Sequence, residues 1–444
     1  MSERKPWFIN GYTVLTAAFL LLRLFFWFSP GHEAKMQMIY LWPAALAALT
    51  LAIWQRRKAP PRGMRLMLAL VAWFFAVNLL NGDFYLEYNG RFLLGIALSM
   101  GVCFLAVPMM PERTREKQTV LLAVLYTGMM LIPALLSLYA AASHQLLSTP
   151  LSDRSLGIQE HRLYIFAYHP NEVACAFSVA FFLSLALALR ARSAAGRILA
   201  GLALLVFYAA ISLTVSRTVM ITVSLGLGAA VMLVCFHCLA KRGLVLRLAA
   251  GVAALALTAA LAFIGFTPAM NAISSLPVPA ASAESTAAPS PSSALVERDL
   301  LEDLSTFTSR TELWQAGISY LKDRPITLLI GSTDAVVARV PHRYAQRAEY
   351  HLHNIWLEIL LQVGIPGLLL YAAFVLGVLW HGLQALRTAA LPLWRRFLPI
   401  SFLLLSVNAL MEIYPGVSGN VMDMMYFLLG GAILTDPGVQ KISG

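Results

Sequence analysis

Long apolar runs separated by short basic stretches make up most of the chain. They fall near 7–28, 37–54, 66–81, 92–110, 119–142, 171–189, 198–215, 219–240, 248–267, 365–380, 397–413 and 421–435. A bilayer core of about 30 Å takes about 20 apolar residues per helix, whereas a barrel strand alternates at period two and stops after about ten. The runs are long and apolar all round. They predict an all-α, polytopic membrane protein with about twelve transmembrane helices and one large external loop between the ninth and tenth. The stretch His353–Gln362 is apolar enough to enter the membrane, but Gly364, Pro366 and Gly367 interrupt it. This predicts a short helix lying on the outer membrane surface before the tenth span.

Composition agrees. The hydrophobic set makes up 59% of 444 residues and charged residues only 12%, against about 45–50% and about 25% in soluble proteins. Mean hydropathy is +0.71. A chain this apolar lacks the polar surface for one large soluble enzyme, a disordered protein or a nucleic-acid-binding domain.

The formal charge is +11, from 33 Lys and Arg against 22 Asp and Glu. Lys and Arg in short loops mark the cytoplasmic side. With the N-terminus inside, the inner segments 1–6, 55–65, 111–118, 190–197, 241–247, 381–396 and 436–444 hold most of the bases. The short outer loops hold only Lys35, Arg91, Arg154, Arg162 and Arg217, and Arg23 lies within the first span near its outer end. Both termini are therefore expected in the cytoplasm and the large loop outside. The first run follows Arg4 and Lys5 but is too long for a signal-peptide core and has no small-residue cleavage site. It reads as a retained helix.

Three parts follow. Residues 1–267 form a membrane domain of nine helices. Residues 268–352 form the external loop, in which 268–295 is a flexible Ala/Ser/Pro-rich insert and 296–352 a helical catalytic loop. Residues 353–444 hold the interfacial helix and the last three spans. Within the loop, Ser309 and Glu312 have capping-box spacing for a helix that Asp323-Arg324-Pro325 ends.

Cysteine adds little. Cys235 and Cys238 form a lone C-x-x-C, which is half of a zinc site at most, and packing is the preferred reading. No zinc-protease, P-loop or Ser-hydrolase motif appears, and no exposed carboxylate pair suggests Mg²⁺-dependent sugar-nucleotide chemistry.

Several outer residues stand out. Arg217 lies between two long apolar helices, a costly place for a charge without an anionic partner or water. Arg310 opens the external helix. His353 and Asn354 lead into the interfacial helix. His169, Pro170, Asn171 and Glu172 start the sixth span. Arg339, His342, Arg343, Arg347 and His351 crowd the approach to the membrane. Each also has a plain reading as a snorkelling charge, a solvated charge or a helix cap. Together they suit one chemistry. Guanidiniums clamp a diphosphate bidentately and stabilise it as a leaving group, and a neutral imidazole takes a proton from a hydroxyl near pH 7.

These residues resemble the O-antigen ligase and O-antigen polymerase superfamily of integral membrane glycosyltransferases. The matching pieces are H-P-N at 169–171, S-R at 216–217, R-x-x-x-W at 310–314 followed by D-R-P-(x)₅-G at 323–331, and HNIWLEILLQVGIPGLLLY at 353–371. The resemblance implies a metal-independent, inverting enzyme with no cofactor. It would use an undecaprenyl-diphosphate-linked glycan as donor at the outer face of the cytoplasmic membrane. Arg217 and Arg310 would bind the diphosphate, with Arg343 and Arg347 as further ligands, and His353 would activate or orient the acceptor hydroxyl. His169, Asn171, His351 and Asn354 would be secondary. The insert at 268–295 has no counterpart in the family pattern. The acceptor stays open between lipid A core (a ligase), a lipid-linked repeat (a polymerase) and a protein hydroxyl, with the ligase preferred. A flippase or transporter, and a membrane scaffold, are the readings from other classes. Outer-surface charge without an internal repeat disfavours the first, and the second leaves Arg217 and His353 unexplained.

Overall fold

The computed structural model describes residues 62–81, 112–149, 152–159, 161–166, 168–268, 308–347, 351–388, 391–412 and 421–434, with a few isolated residues besides. The predicted spans at 37–54 and 92–110, nearly all of 7–28 and the Ala/Ser/Pro-rich insert lie outside them.

The other predicted spans are helices. They are α1 (Arg62–Leu80), α2 (Glu112–Ser143), α3 (Pro170–Arg190), α4 (Ala194–Thr214), α5 (Arg217–Cys238), α6 (Leu244–Ile264), α11 (Ile355–Arg387), α12 (Leu393–Asn408) and α13 (Val421–Leu434). Of the described helices, six (α2 to α6 and α11) are long and apolar enough to cross a membrane. The external loop carries α7 (Thr308–Asp323) and three short helices, α8 (Thr327–Ile330), α9 (Asp334–Val337) and α10 (Val340–Ala345). The chain is thus a helical, multi-pass membrane protein.

A small sheet departs from the all-α expectation. Strands β1 (Leu147–Thr149), β2 (Ser152–Gln159) and β3 (Arg162–Tyr164) form an antiparallel meander between α2 and α3. Strands β1 and β3 have three residues each, and the eight-residue β2 (SDRSLGIQ) opens on four polar residues, so none alternates clearly. Leu156, Leu163 and Ile165 are fully buried and join the main core, so tertiary packing stabilises the sheet more than strand propensity does.

The core centres on α3, which is buried along most of its length. Around it, α11, α12 and α13 contribute an aromatic layer in which Phe402 stacks on Tyr426 at 4.3 Å and Phe374 meets Phe402 edge-on at 6.2 Å. A polar tie crosses this core at Asn408, which accepts from Thr222 of α5 at 2.8 Å and donates to Ser178 of α3 at 3.4 Å. At one end of the bundle Glu116 accepts from Arg190 at 3.3 Å and Arg395 at 2.8 Å, joining α2, α3 and α12. The residues singled out from the sequence gather toward the opposite end.

Helix α11 is two helices joined at a sharp kink. Gly364 has φ 67 and ψ −175 inside it. The ring of Trp356 packs edge-on against Tyr371 at 5.2 Å. Fifteen residues of straight helix would separate them by about 22 Å, so the segment before Gly364 folds back along the segment after it. The kink leaves the Val363 carbonyl open to Trp73 of α1, whose Nε1 donates to it at 2.7 Å. An apolar groove of about 660 Å³ lies beside it between α1 and α11, lined by Ala72, Ala76, Pro366 and Leu369 among others.

The external loop docks on this kink. Ser332 N–H donates to Leu361 C=O at 2.7 Å. Gly331, also at φ 67, lies so close that a Cβ there would collide with the Gln362 carbonyl oxygen; a Cβ on Gly364 would meet the Leu328 and Leu329 oxygens at 2.9 Å. Both positions combine positive φ with backbone on the side a Cβ would occupy, so glycine is required twice over. Leu313, Ala316, Tyr320, Val337, Val340, Leu352 and Leu361 close a second small core beneath the loop.

Gly331→Ala and Gly364→Ala are therefore each expected to destabilise the docked loop by about 1–3 kcal/mol. Thermal unfolding in detergent, with limited proteolysis across 308–352, measures this. Wild-type resistance in both variants would contradict the close backbone approach.

Candidate active site

The site is built on Glu412, just beyond α12. Helix α12 ends at Asn408, earlier than the apolar run to 413 predicts, because the Ala409 carbonyl turns aside to accept from Ile355 N–H at 3.0 Å. That bond ties the end of α12 to the start of α11 and places Glu412 beside His353.

The Glu412 side chain is only 3% exposed. A bare carboxylate at such a site costs several kcal/mol, and three donors offset this. Arg310 Nη2 from α7 donates to Oε1 at 2.5 Å, and Asn171 Nδ2 from α3 donates to the same oxygen at 2.8 Å. His353 Nδ1 lies 2.6 Å from Oε2. His353 and Arg310 keep 24% and 21% side-chain exposure, so both reach a surface while the carboxylate between them does not.

Local structure explains each placement. His353 sits at φ 51, a strained conformation for a non-glycine residue. Asn354 follows as the N-cap of α11, its side-chain oxygen accepting from Trp356 and Leu357 N–H at 3.0 and 3.1 Å. Cap and strain together aim the imidazole at Glu412. Asn171 lies in the first turn of α3, where Pro170 occupies the first helical position and the Asn171 N–H donates to His169 Nδ1 at 3.3 Å. That nitrogen of His169 is therefore the unprotonated one. On its other side, Asn171 accepts through Oδ1 from Arg162 of β3 at 2.6 Å.

The remaining candidates are placed differently. Arg217 is half-buried and opens α5, after Val215 closes α4 in the left-handed conformation. Thr222, a turn further on, bonds Asn408, so Arg217 stands at the same end of the bundle as Glu412. His351 Nδ1 lies 3.8 Å from Glu358, which also accepts from Leu352 N–H at 2.6 Å. Arg347 pairs with Glu312 of α7, Nε lying 3.0 Å from its carboxylate. Glu312 thus ties α7 to the loop beyond α10. Arg343 is exposed and lies over the Tyr344 ring at 5.7 Å. Of the four arginines proposed for diphosphate, Arg310 bonds Glu412 directly.

Glu412 and Arg162 were not among the candidates read from the sequence. Glu412 falls at the end of the apolar run 397–413, and Arg162 lies in a short outer loop. No spacing rule links 412 to 353, 310 and 171, or 162 to 171.

Electrostatics couple the pair. Burial pulls the His353 imidazole down, but the adjacent Glu412 carboxylate outweighs it and leaves His353 above its ordinary range. Burial pushes the Glu412 carboxyl up, but His353 and then Arg310 outweigh it and hold it low. The arrangement is an imidazolium–carboxylate pair that becomes, on loss of one proton, a neutral imidazole with Nδ1–H oriented by Glu412 and Nε2 turned elsewhere.

Residues 200–372 match the family model described as O-antigen ligase. Over that stretch, well under half of the chain, the sequence is similar to the O-antigen ligase and polymerase superfamily. The match includes Arg217, Arg310, Arg343, Arg347, His351, His353 and Asn354, and it stops short of Glu412 and of Arg162, His169 and Asn171. No curated protein matches the chain.

The pair sets a pH dependence of stability. His353, raised, contributes fully below its ordinary 6.5 and loses that contribution as pH rises through its folded value. Glu412, lowered, contributes fully above its ordinary 4.5 and loses it as pH falls through its folded value. Glu412→Gln should therefore cost most stability between about pH 4.5 and 6.5, about 1–3 kcal/mol, and less at higher pH. Melting curves of both proteins across that range measure it. A pH-independent difference would mean that the pair is not ionic.

Proposed function

We propose that this chain, an O-antigen ligase or polymerase-type enzyme of the membrane, moves a glycan from an undecaprenyl-diphosphate carrier to an acceptor hydroxyl. The observation that carries the reading is the His353–Glu412 pair flanked by Arg310. The acceptor hydroxyl donates its proton to Nε2 of neutral His353, and Glu412 steadies the imidazolium that forms. The hydroxyl oxygen attacks the anomeric carbon as the bond to the diphosphate breaks, and a single displacement inverts that carbon. Arg310 keeps Glu412 on one nitrogen and offers the rest of its fork to the departing diphosphate. Arg217, at the positive N-terminal end of α5, supplies the second guanidinium. These residues carry the charge and the proton without a metal.

The acceptor we favour is lipid A core, at the periplasmic face of the inner membrane. The motif HNIWLEILLQVGIPGLLLY at 353–371 is the feature on which we prefer the ligase to the polymerase. Both termini are placed in the cytoplasm by the distribution of Lys and Arg.

Purified protein given an undecaprenyl-diphosphate-linked glycan and lipid A core should form the conjugate, with equal rate in EDTA. His353→Ala should lower the rate by about 10²–10⁴-fold and Arg217→Ala by about 100-fold or more. For the wild type, the rate should rise with pH through the raised His353 value, because only the neutral imidazole accepts a proton. A ladder growing on the carrier would replace ligase by polymerase. Full activity of His353→Ala would overturn the mechanism, and inhibition by EDTA would overturn its independence of metal.

A further inference from the structure

Arg162 reaches the site from outside the membrane helices. It lies on β3, and its guanidinium spans two elements. Nε donates to the Thr214 carbonyl at 3.0 Å, and Nη2 donates to Asn171 Oδ1 at 2.6 Å. Thr214 is the last residue of α4, where helix carbonyls lack an intrahelical partner because Val215, in the left-handed conformation, ends the helix. Arg162 therefore fastens the sheet to the α4–α5 turn that carries Arg217.

Its second bond decides which way the Asn171 amide faces. Asn171 stands between a group that only donates, Arg162, and one that only accepts, Glu412. With Arg162 in place the amide oxygen must face the guanidinium and the amide NH₂ must face Glu412 Oε1, at 2.8 Å. The reverse orientation would set oxygen against carboxylate and NH₂ against guanidinium. Without Arg162 nothing on that side enforces the choice.

We propose that Arg162 is a positioning residue that acts through Asn171 to hold Glu412, and thereby His353, in register. The sheet between α2 and α3 serves as the strut that carries it. The proposal rests on the reading of His353 as the group that handles the acceptor proton. The charged and titratable groups facing His353 are Glu412, Arg310 of α7 and Glu358 of α11, with His351 and His169 further off. Arg162 bonds Asn171 and also acts on His169 through its charge. The hydrogen-bonded route from Arg162 to His353 runs through Asn171 and Glu412.

The test needs no donor substrate. Full-length protein in lipid nanodiscs, ¹³C-labelled at histidine, is titrated by NMR, with the His353 resonance assigned by its loss in His353→Gln. Arg162→Gln removes the lock on Asn171. Glu412 then holds the His353 proton more tightly, and the His353 midpoint should rise by about half a pH unit or more. Asn171→Ala should give a similar rise, and the double variant no further one. Arg162→Lys keeps the charge but cannot span Thr214 and Asn171 together, so most of the rise should persist.

Wild-type midpoints in Arg162→Gln and Asn171→Ala would overturn the proposal, as would additive shifts. A wild-type midpoint in Arg162→Lys would reduce the effect to bare charge and also overturn it. If Arg162→Gln does not fold, Asn171→Ala and Arg162→Lys decide. These outcomes are separate from the transfer assay: an active His353→Ala variant sinks the chemistry, whereas an unmoved midpoint sinks the role of Arg162.

Discussion

A carboxylate withdrawn from solvent has to be surrounded by donors, and Glu412 meets that demand with side chains from three separate helices. Arg310 arrives from the external loop, Asn171 from the start of α3 and His353 from the start of α11. None of these contacts is local in sequence. Each draws the N-terminal end of a helix toward the same point, where the helix dipoles add positive potential. The buried carboxylate offsets that potential, and an anionic substrate would offset more of it. Assembly of the site and its preference for anions thus have one electrostatic origin.

The scaffold makes this arrangement rigid from two sides. From outside, Gly331 and Gly364 allow backbone to pack on backbone, so the external loop holds α7 and Arg310 at a set height above the bundle. From inside, Asn408 bonds α5 and α3 just before α12 ends, which fixes where the chain toward Glu412 departs. The short motif of the external loop and the Gly-x-x-Gly of α11 are therefore two halves of one contact. Their glycines serve packing, and His353 and Arg310 depend on it for position.

The site was partly legible in the residues. Arg310, His353 and Asn171 stood out because a charge, an imidazole and an amide at the outer ends of apolar helices are unusual, and they do share one partner. Arg343 and Arg347 stood out on the same grounds, yet Arg347 is taken up by Glu312 and Arg343 lies over Tyr344. Charge alone does not separate a ligand for substrate from a tie between loop segments. The small sheet is not legible in the sequence, because β1 and β3 are three residues long and β2 begins with four polar residues, and the placement of Arg162 is hidden with it.

Periodicity and charge by themselves determined the helical spans within the described residues, the break at Gly364 and the residue types available for chemistry. These are local properties: burial in a bilayer demands apolar length, and a left-handed turn demands glycine. The partner of each functional side chain was decided only by tertiary structure. Glu412 lies 59 residues from His353, 102 from Arg310 and 241 from Asn171. Their meeting depends on how α3, α7, α11 and α12 pack, and hydrophobic patterning records which residues are buried without recording which of them touch.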